Sequence, residues 1–264
     1  MRYKSFPRVL VPSLGGALAG IALYQTSFVF MPIALLILWE ISASLLLSFV
    51  WGFIAIAISH SWLLSLHPLT WLGFTTEVSF TITFLIWLSC ASLGGLYVAS
   101  WSYLGKLIKL IFSGKVKDIY QEPTYAFLMS GAWGLGEVYL SHSPLFWIGI
   151  GTSLLPGDQW LAGFARLFGA GGLAAIQLII GWWLWRLIIA YTNKSKWKNT
   201  FLKGFFLVLF LHLIGANLLN IQVEEGNKKV AVLQTAIPLR DKFSDKWTSK
   251  LPNLIDNSIK LSKE

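Results

Sequence analysis

The stretch from 27 to 66 carries one charged residue, Glu40, and otherwise consists almost entirely of apolar and small side chains. The hydrocarbon core of a bilayer is about 30 Å thick and needs about 20 apolar residues per helix. In lipid, an open chain satisfies its backbone groups only as a helix. The whole sequence is 55% hydrophobic and 12% charged, against about 25% charged in soluble domains. The sequence therefore predicts an all-α polytopic membrane protein.

Apolar segments along the chain predict about seven transmembrane helices. Ala17-Leu18-Ala19 resembles the cleavage site of a signal peptide. The first segment is nevertheless interpreted as an uncleaved span, because the apolar stretch before Ala17 is short and another long apolar segment follows at once. The stretch 27–66 is long enough for two helices that turn near 40–44. The predicted segments are 9–23, two within 27–66, 75–101, 124–140, 167–189 and 201–219.

The distribution of lysine and arginine predicts the orientation of these spans, because cytoplasmic loops are enriched in basic residues. The alternate loops, 67–73 and 141–159, contain neither residue, and Arg166 is the one basic residue near that side. The N-terminus is therefore predicted inside and the C-terminus outside. The net charge of +9 is attributed to this topology and to anionic lipid, not to nucleic acid. The basic residues on the predicted inner side are Arg2, Lys4, Arg8, Lys106, Lys109, Lys115, Lys117, Arg186, Lys194, Lys196, Lys198 and Lys203.

Cysteine and histidine residues do not form a recognisable catalytic or metal-binding pattern. Cys90 is the only cysteine and lies within an apolar segment, so packing is the expected role. His60 and His67 have no third ligand nearby in the sequence, so no metal site is predicted. His142 and His212 are isolated and are expected to be interfacial or packed.

The glycine-rich sequence GAGGLAA, at 169–175, superficially resembles a phosphate-binding loop. Such loops follow a strand, whereas this one begins an apolar helical segment. Close packing between helices is therefore the expected role.

Three acidic residues, Glu40, Glu77 and Glu137, fall at the level of the predicted spans. A carboxylate is costly in lipid, so each is expected to face a cavity, a partner or the interface. Glu137, in WGLGEVYLSHSPLFW, is the most informative of the three. An ion-coupled transporter that uses these groups as a relay is an alternative, but transporters commonly contain paired internal repeats, and the sequence shows none.

Four segments of the chain resemble the N-terminal membrane part of the apolipoprotein N-acyltransferase family, and they follow one another in the order in which the family has them. VWGFIAIAISHSWLLSL is similar to a span with W-G-F followed by an outer tryptophan, here Trp62. RLFGAGGLAAIQLIIGWWL is similar to the span that begins at a G-x-x-G-L pattern. AWGLGEVYLSHSPLFWIGIGTSL and VAVLQTAIPLRDKF carry matching residues, which are Trp133, Glu137, Trp147, Gly151, Ser153, Gln234, Ile237, Pro238 and Lys242.

The sequence also departs from the family pattern at several positions. Leu140 stands where the family usually has arginine, and Phe146 replaces the proline of F-P-W. Around the last motif, the departing residues are Thr235, Ala236, Leu239 and Phe243.

The resemblance implies a family activity and a domain arrangement. The family moves an acyl chain from a phospholipid to an enzyme cysteine and then to the N-terminal diacylglyceryl-cysteine of a lipoprotein, a covalent mechanism with a thiolate nucleophile. Residues 1–222 are expected to form the transmembrane domain. Residues 223–264 are expected to begin an extracytoplasmic α/β nitrilase-like domain, with a strand at 230–233 and a helix at 245–260. The family's catalytic Glu, Lys and Cys have no counterparts in this sequence, so the chain alone is expected to be inactive.

The resemblance also implies substrate-binding candidates and partners. Glu137, Trp147, Gln234 and Lys242 are the candidate substrate-binding residues. The expected partners are a phospholipid acyl donor, an apolipoprotein acceptor and a separate polypeptide with the rest of the nitrilase-like domain. The expected location is the bacterial cytoplasmic (inner) membrane, and no cofactor is expected. A non-catalytic subunit that binds lipid or anchors a partner is an alternative.

Overall fold

The computed structural model describes residues 9–112, 122–143, 149–155 and 157–221, with 251–253, 255–256 and 259–260 near the C-terminus. These residues are those of a helical membrane protein, and the described ranges contain no strand. Short 3₁₀-helices occur at Ser61–Leu66, Thr70–Leu72 and Ile150–Leu154. The α-helices are α1 (Leu10–Tyr24), α2 (Phe30–Ile41), α3 (Leu45–Ser59), α4 (Thr76–Ile111), α5 (Pro123–Leu140), α6 (Gln159–Ala162), α7 (Ala165–Thr192) and α8 (Trp197–Asn220).

Helix length separates two groups within the described residues. Three helices, α4, α7 and α8, are long and apolar enough to cross a membrane. The apolar helices α1, α2 and α3 are shorter; the 12 residues of α2 rise only about 18 Å, less than the roughly 30 Å of hydrocarbon. The seven crossings therefore stay a prediction, although helices occupy all seven predicted positions.

The boundaries of two predicted segments have local physical causes. The turn predicted near 40–44 lies between α2 and α3, where Ser44 is extended and its Oγ accepts a hydrogen bond from the amide of Leu47. The segment predicted to end at 101 continues as α4 to Ile111. Lys106 and Lys109 are unfavourable in hydrocarbon but compatible with helix, so the apolar segment ends before the helix does.

Glycines allow close contact between helices. Gly16 and Gly20 of α1 lie against the backbone of α3, while Gly52 of α3 lies against Gly94 of α4. A Cβ on Gly134 of α5 would lie 2.5 Å from the carbonyl oxygen of Gly171 on α7, and the reverse substitution meets the same distance. Small residues are the expected contact residues in lipid, where apolar side chains gain little by leaving their surroundings. The packing role predicted for 169–175 is confirmed at Gly171.

The same glycine-rich sequence contains a feature that packing does not predict. Gly169 interrupts α7 with φ 60° and ψ −164°. This backbone conformation is essentially restricted to glycine. The first turn of α7, before Gly169, therefore departs from the direction of the rest of the helix.

The chain divides into two compact units, Met1–Leu63 with Leu85–Ile221, and Leu64–Phe84 with Gln222–Glu264. In the second unit, Ser79 Oγ accepts a hydrogen bond from the amide of Leu69 at 2.6 Å and lies 2.9 Å from His67 Nδ1. The few described residues between 251 and 260 are helical and fall within the predicted helix 245–260. The predicted strand 230–233 lies outside the described residues, and the boundary between 222 and 223 stays a prediction.

Candidate functional site

Glu137 is buried near the C-terminal end of α5 and joins that helix to the following loop. Its side chain is 4% exposed. Carboxylate oxygen Oε1 accepts hydrogen bonds from Trp133 Nε1 at 2.9 Å and from the backbone amide of Ile150 at 2.8 Å. Trp133 and Glu137 are four residues apart and therefore lie on one face of the helix. The carboxylate consequently fixes the beginning of the Ile150–Leu154 turn against α5.

Gln177 of α7 holds the same turn from the other side. Its side chain is fully buried, and its Nε2 donates to the carbonyl oxygen of Ile150 at 2.6 Å. Ser153 Oγ lies 2.8 Å from this carbonyl oxygen and 3.1 Å from Gln177 Oε1. Irregular backbone is tolerated at membrane depth only where protein satisfies its polar groups. Glu137 and Gln177 satisfy both the N–H and the C=O of Ile150, and we call this pair the Ile150 clamp.

An aromatic cluster supports the clamp from α2 and α4. Trp133 lies edge-on to Tyr97 at 5.0 Å and to Trp101 at 5.5 Å between ring centroids. Tyr97 donates its hydroxyl to the carbonyl oxygen of Trp133 at 2.8 Å, and Trp101 Nε1 donates to that of Met129 at 2.8 Å. Trp39 of α2 completes the cluster, 5.2 Å from Trp101. Edge-on aromatic pairs contribute about 0.5–1.5 kcal/mol each beyond burial, so the indole that binds Glu137 is held firmly.

A cavity of about 50 Å³ lies beside the clamp. It is lined by Glu137 and by apolar and aromatic residues that include Leu23, Trp51 and Ile150. The Gly151 amide also faces the carboxyl group, but no donor among the described residues lies in hydrogen-bonding geometry with Glu137 Oε2. A water molecule needs only about 10–15 Å³ of such space. The cavity beside this carboxyl group is therefore large enough to hold a water molecule.

Gly149 is the point at which the loop passes closest to Glu137. A Cβ on Gly149 would overlap Oε2 of the carboxylate. A side chain at position 149 would therefore displace the Glu137 carboxylate from its place in the clamp.

The structure places one of the four predicted site residues in this arrangement. Glu137 is the buried acceptor of the clamp, whereas Trp147, Gln234 and Lys242 lie outside the described residues. Trp147 precedes Gly149 by two positions in the sequence, so the clamp holds the chain shortly after it.

The other acidic residues at span level have separate environments. Glu40 accepts a hydrogen bond from Trp185 Nε1 at 2.7 Å, which joins α2 to α7. Glu77 is exposed in the first turn of α4, where the helix dipole favours a negative charge. Both positions fit the expectation of a partner or an interface.

Two polar features were not predicted from the sequence. Gln177 is the only amide side chain in the apolar run 169–185, and the rule that singled out the glutamates would also have found it. The expectation that His212 is isolated is wrong, since its Nε2 lies 2.9 Å from Asp158 Oδ2. The two residues are 54 positions apart, so no local pattern indicates their contact. Asp158 Oδ1 also caps α6 by accepting the amide of Leu161.

Cys90 is buried, as predicted from its apolar surroundings. In the described ranges, no group of three His, Cys, Asp or Glu residues comes together to hold a metal ion.

Three known proteins that are similar to this chain carry the same name. It is 44% identical over 252 residues to "Apolipoprotein N-acyltransferase" of Prochlorococcus marinus strain SARG, a match that covers 95% of the chain and 50% of that protein. It is 42% identical over 247 residues to the protein of the same name from strain MIT 9313, covering 94% of the chain and 49% of the relative.

A third relative of that name, from Prochlorococcus marinus subsp. pastoris, is 40% identical over 270 residues, covering 98% of the chain and 53% of the relative. No protein-family profile matches the chain. The chain spans about half the length of the curated relatives that it matches. These matches cover almost the whole of the chain, and the chain therefore belongs to the apolipoprotein N-acyltransferase family.

Proposed function

We propose that this chain is the N-terminal membrane part of an apolipoprotein N-acyltransferase of the bacterial cytoplasmic membrane. The observation that carries the proposal is the 40–44% identity over almost the whole chain to relatives with that name. In this proposal the whole protein transfers an acyl chain from a phospholipid to the N-terminal diacylglyceryl-cysteine of an apolipoprotein. The groups that carry out covalent catalysis belong to the half of the relatives that this chain does not match.

The Ile150 clamp supports a role for this chain in positioning. Catalysis by positioned groups is sensitive to displacements of about 1 Å. Two buried side chains, Glu137 and Gln177, and an aromatic cluster fix one turn of the loop between α5 and α7. We propose that this turn sets the position of Trp147 at the site where an acyl chain enters. Gln234 and Lys242 are proposed to support the nitrilase-like domain at its first strand.

The proposed topology has the N-terminus in the cytoplasm, seven spans, and everything after α8 outside. Alkaline phosphatase fused after Ile221 is expected to be highly active, because its disulfides form only in an oxidising compartment. The same enzyme fused after Asn193, between α7 and α8, is expected to give little activity. Activity in cells, normalised to the amount of fusion protein, measures the difference. The reverse pattern would contradict both the topology and the proposed function.

Acyl transfer is tested with a chimera, because this chain matches half of each relative. Residues 1–264 would be joined to the unmatched half of the strain SARG relative, in the order in which the two halves occur there. The chimera in detergent is expected to transfer a radiolabelled acyl chain from phospholipid to a diacylglyceryl lipopeptide. The chain by itself is expected to give no transfer, because its thiol, Cys90, is buried in an apolar helix.

Controls separate the proposal from its alternatives. Cys90→Ser in the chimera is expected to leave transfer unchanged, and transfer by the unfused chain that survives Cys90→Ser would refute the proposed division of roles. A folded chimera that binds phospholipid but never transfers an acyl chain would favour the lipid-binding or anchoring subunit instead.

A further inference from the structure

A groove of about 630 Å³ lies between α5, α7 and α8. Every residue that lines it is glycine, alanine, valine, leucine, isoleucine or phenylalanine. Gly134 and Gly171, whose backbones are in contact, lie among these lining residues, as does Gly131. A lining without side-chain donors or acceptors cannot compensate the desolvation of a polar ligand. The groove therefore fits a hydrocarbon.

The length and depth of the groove fit one leaflet of a membrane. Its lining on α5 extends from Phe127 to Val138, which corresponds to about 16 Å at a rise of about 1.5 Å per residue. Half of the hydrocarbon core is about 15 Å. Val138 is close to Leu140, where α5 ends. A chain in the groove would thus extend from the end of α5 towards the middle of the bilayer.

Arg166 lies in the sequence between two phenylalanines that line the groove at the beginning of α7. Arg166 is exposed, while Phe164 and Phe168 belong to the lining. Arg166 Nη1 donates to the carbonyl oxygens of Leu218 at 3.2 Å and Ile221 at 2.8 Å, at the end of α8. A guanidinium carries five N–H donors in a fork that matches phosphate. In the described part of the chain, only the Nη1 donors are occupied, which leaves donors for a phosphate.

We propose that this groove binds one acyl chain of a phospholipid from the leaflet at the end of α5, with the phosphate of that phospholipid at Arg166. Glu137 does not line the groove, so this site is distinct from the Ile150 clamp. The bound lipid is held, not consumed. The proposal therefore does not depend on acyl transfer, and its test contains no transfer reaction.

The test uses the full chain in lipid nanodiscs that contain a phospholipid with a photoreactive diazirine in its acyl chain. After illumination, the labelled positions are mapped by proteolysis and mass spectrometry. Labelling is expected to concentrate on groove-lining residues such as Ile176 and Leu211. Lipid-facing residues of α8 outside the groove, such as Phe210 and Leu213, are expected to be labelled weakly. Equal labelling of both groups would mean ordinary surrounding lipid and would overturn the proposal.

Substitutions at Gly131 fill the groove without a clash, since a Cβ there meets no atom within 4 Å. Gly131→Leu is expected to lower groove labelling about tenfold, because leucine displaces several methylenes of the bound chain. Gly131→Ala is one control, because it raises helix propensity as Gly131→Leu does but adds only one methyl group. Leu213→Phe is the other, because it adds bulk outside the groove. Both controls are expected to keep most of the labelling. Undiminished labelling in folded Gly131→Leu would refute the groove as the site.

The phosphate contact has its own comparison, which needs no substitution. A diazirine-labelled diacylglycerol carries the same acyl chains without phosphate. It is expected to label the groove several-fold less than the phospholipid, since it cannot form charge-assisted hydrogen bonds with Arg166. Equal labelling by the two probes would refute the phosphate contact at Arg166.

Discussion

Gly134→Leu is expected to prevent α5 and α7 from packing and so to abolish a folded, monodisperse protein in detergent. The Cβ alone would lie 2.5 Å from the carbonyl oxygen of Gly171, and this neighbour is helix backbone that cannot rotate away. Overpacking a well-packed core typically costs about 1–3 kcal/mol, and a clash between two helix backbones lies at or above the top of that range. Size-exclusion profiles and thermal unfolding midpoints measure the effect.

The matched control for this experiment lies one turn earlier on the same helix. Gly131→Leu introduces the same side chain where the added Cβ meets no atom within 4 Å. It also gains up to about 1 kcal/mol of helix propensity, so this variant is expected to fold at least as well as the unaltered chain. Equal thermal midpoints for Gly134→Leu and Gly131→Leu would show that the contact between Gly134 and Gly171 does not set the distance between α5 and α7.

Glu137→Leu is expected to be the most damaging change at the Ile150 clamp. It removes the acceptor of two buried donors, the indole N–H of Trp133 and the amide of Ile150. Each buried donor left without a partner costs about 1–3 kcal/mol, so the loss of stability is expected to be about 2–6 kcal/mol. Glu137→Gln keeps a carbonyl oxygen for both donors and is expected to cost about 1 kcal/mol. Thermal unfolding in detergent, followed by tryptophan fluorescence, gives the order of the two variants.

The chimera links this loss of stability to function. In the chimera, Glu137→Leu is expected to lower acyl transfer by about 10²-fold, because a displaced loop misplaces the entering acyl chain. Transfer is measured at a temperature at which the variant is still folded. Glu77→Leu is the control, since Glu77 is exposed in the first turn of α4 and contributes only about 0.3–1 kcal/mol there. A Glu137→Leu protein with the stability and transfer rate of Glu77→Leu would show that the clamp has no positioning role.

Gln177→Leu provides an independent examination of the same clamp. It leaves the carbonyl oxygen of Ile150 without its bond to Gln177 Nε2 but keeps the bond from Ile150 N–H to Glu137. If the two residues act through the same turn, the double variant is expected to lose less stability than the sum of the single losses, because neighbours in one network are not additive. Strict additivity would mean that Glu137 and Gln177 stabilise different parts of the protein.

The sequence indicated the helical segments and the short turn between α2 and α3, because both depend on consecutive residues. A run of apolar side chains must form helix in lipid whatever surrounds it, and Ser44 caps α3 through an amide only three residues away. The same local reasoning identified Glu137 as a carboxylate that needs a partner. It left the seven crossings, the orientation and the roles of Trp147, Gln234 and Lys242 as predictions.

The tertiary structure alone decided which distant groups meet. Ile150 is held by Gln177, 27 residues away, and Asp158 meets His212 across 54 residues. Gly134 contacts Gly171 only because α5 and α7 pack against each other at those two positions. These pairings depend on the angles and distances between helices, which follow from the packing of many side chains at once. The sequence by itself therefore determined that buried polar groups and glycines needed partners, and the packing of the helices determined which partners they have.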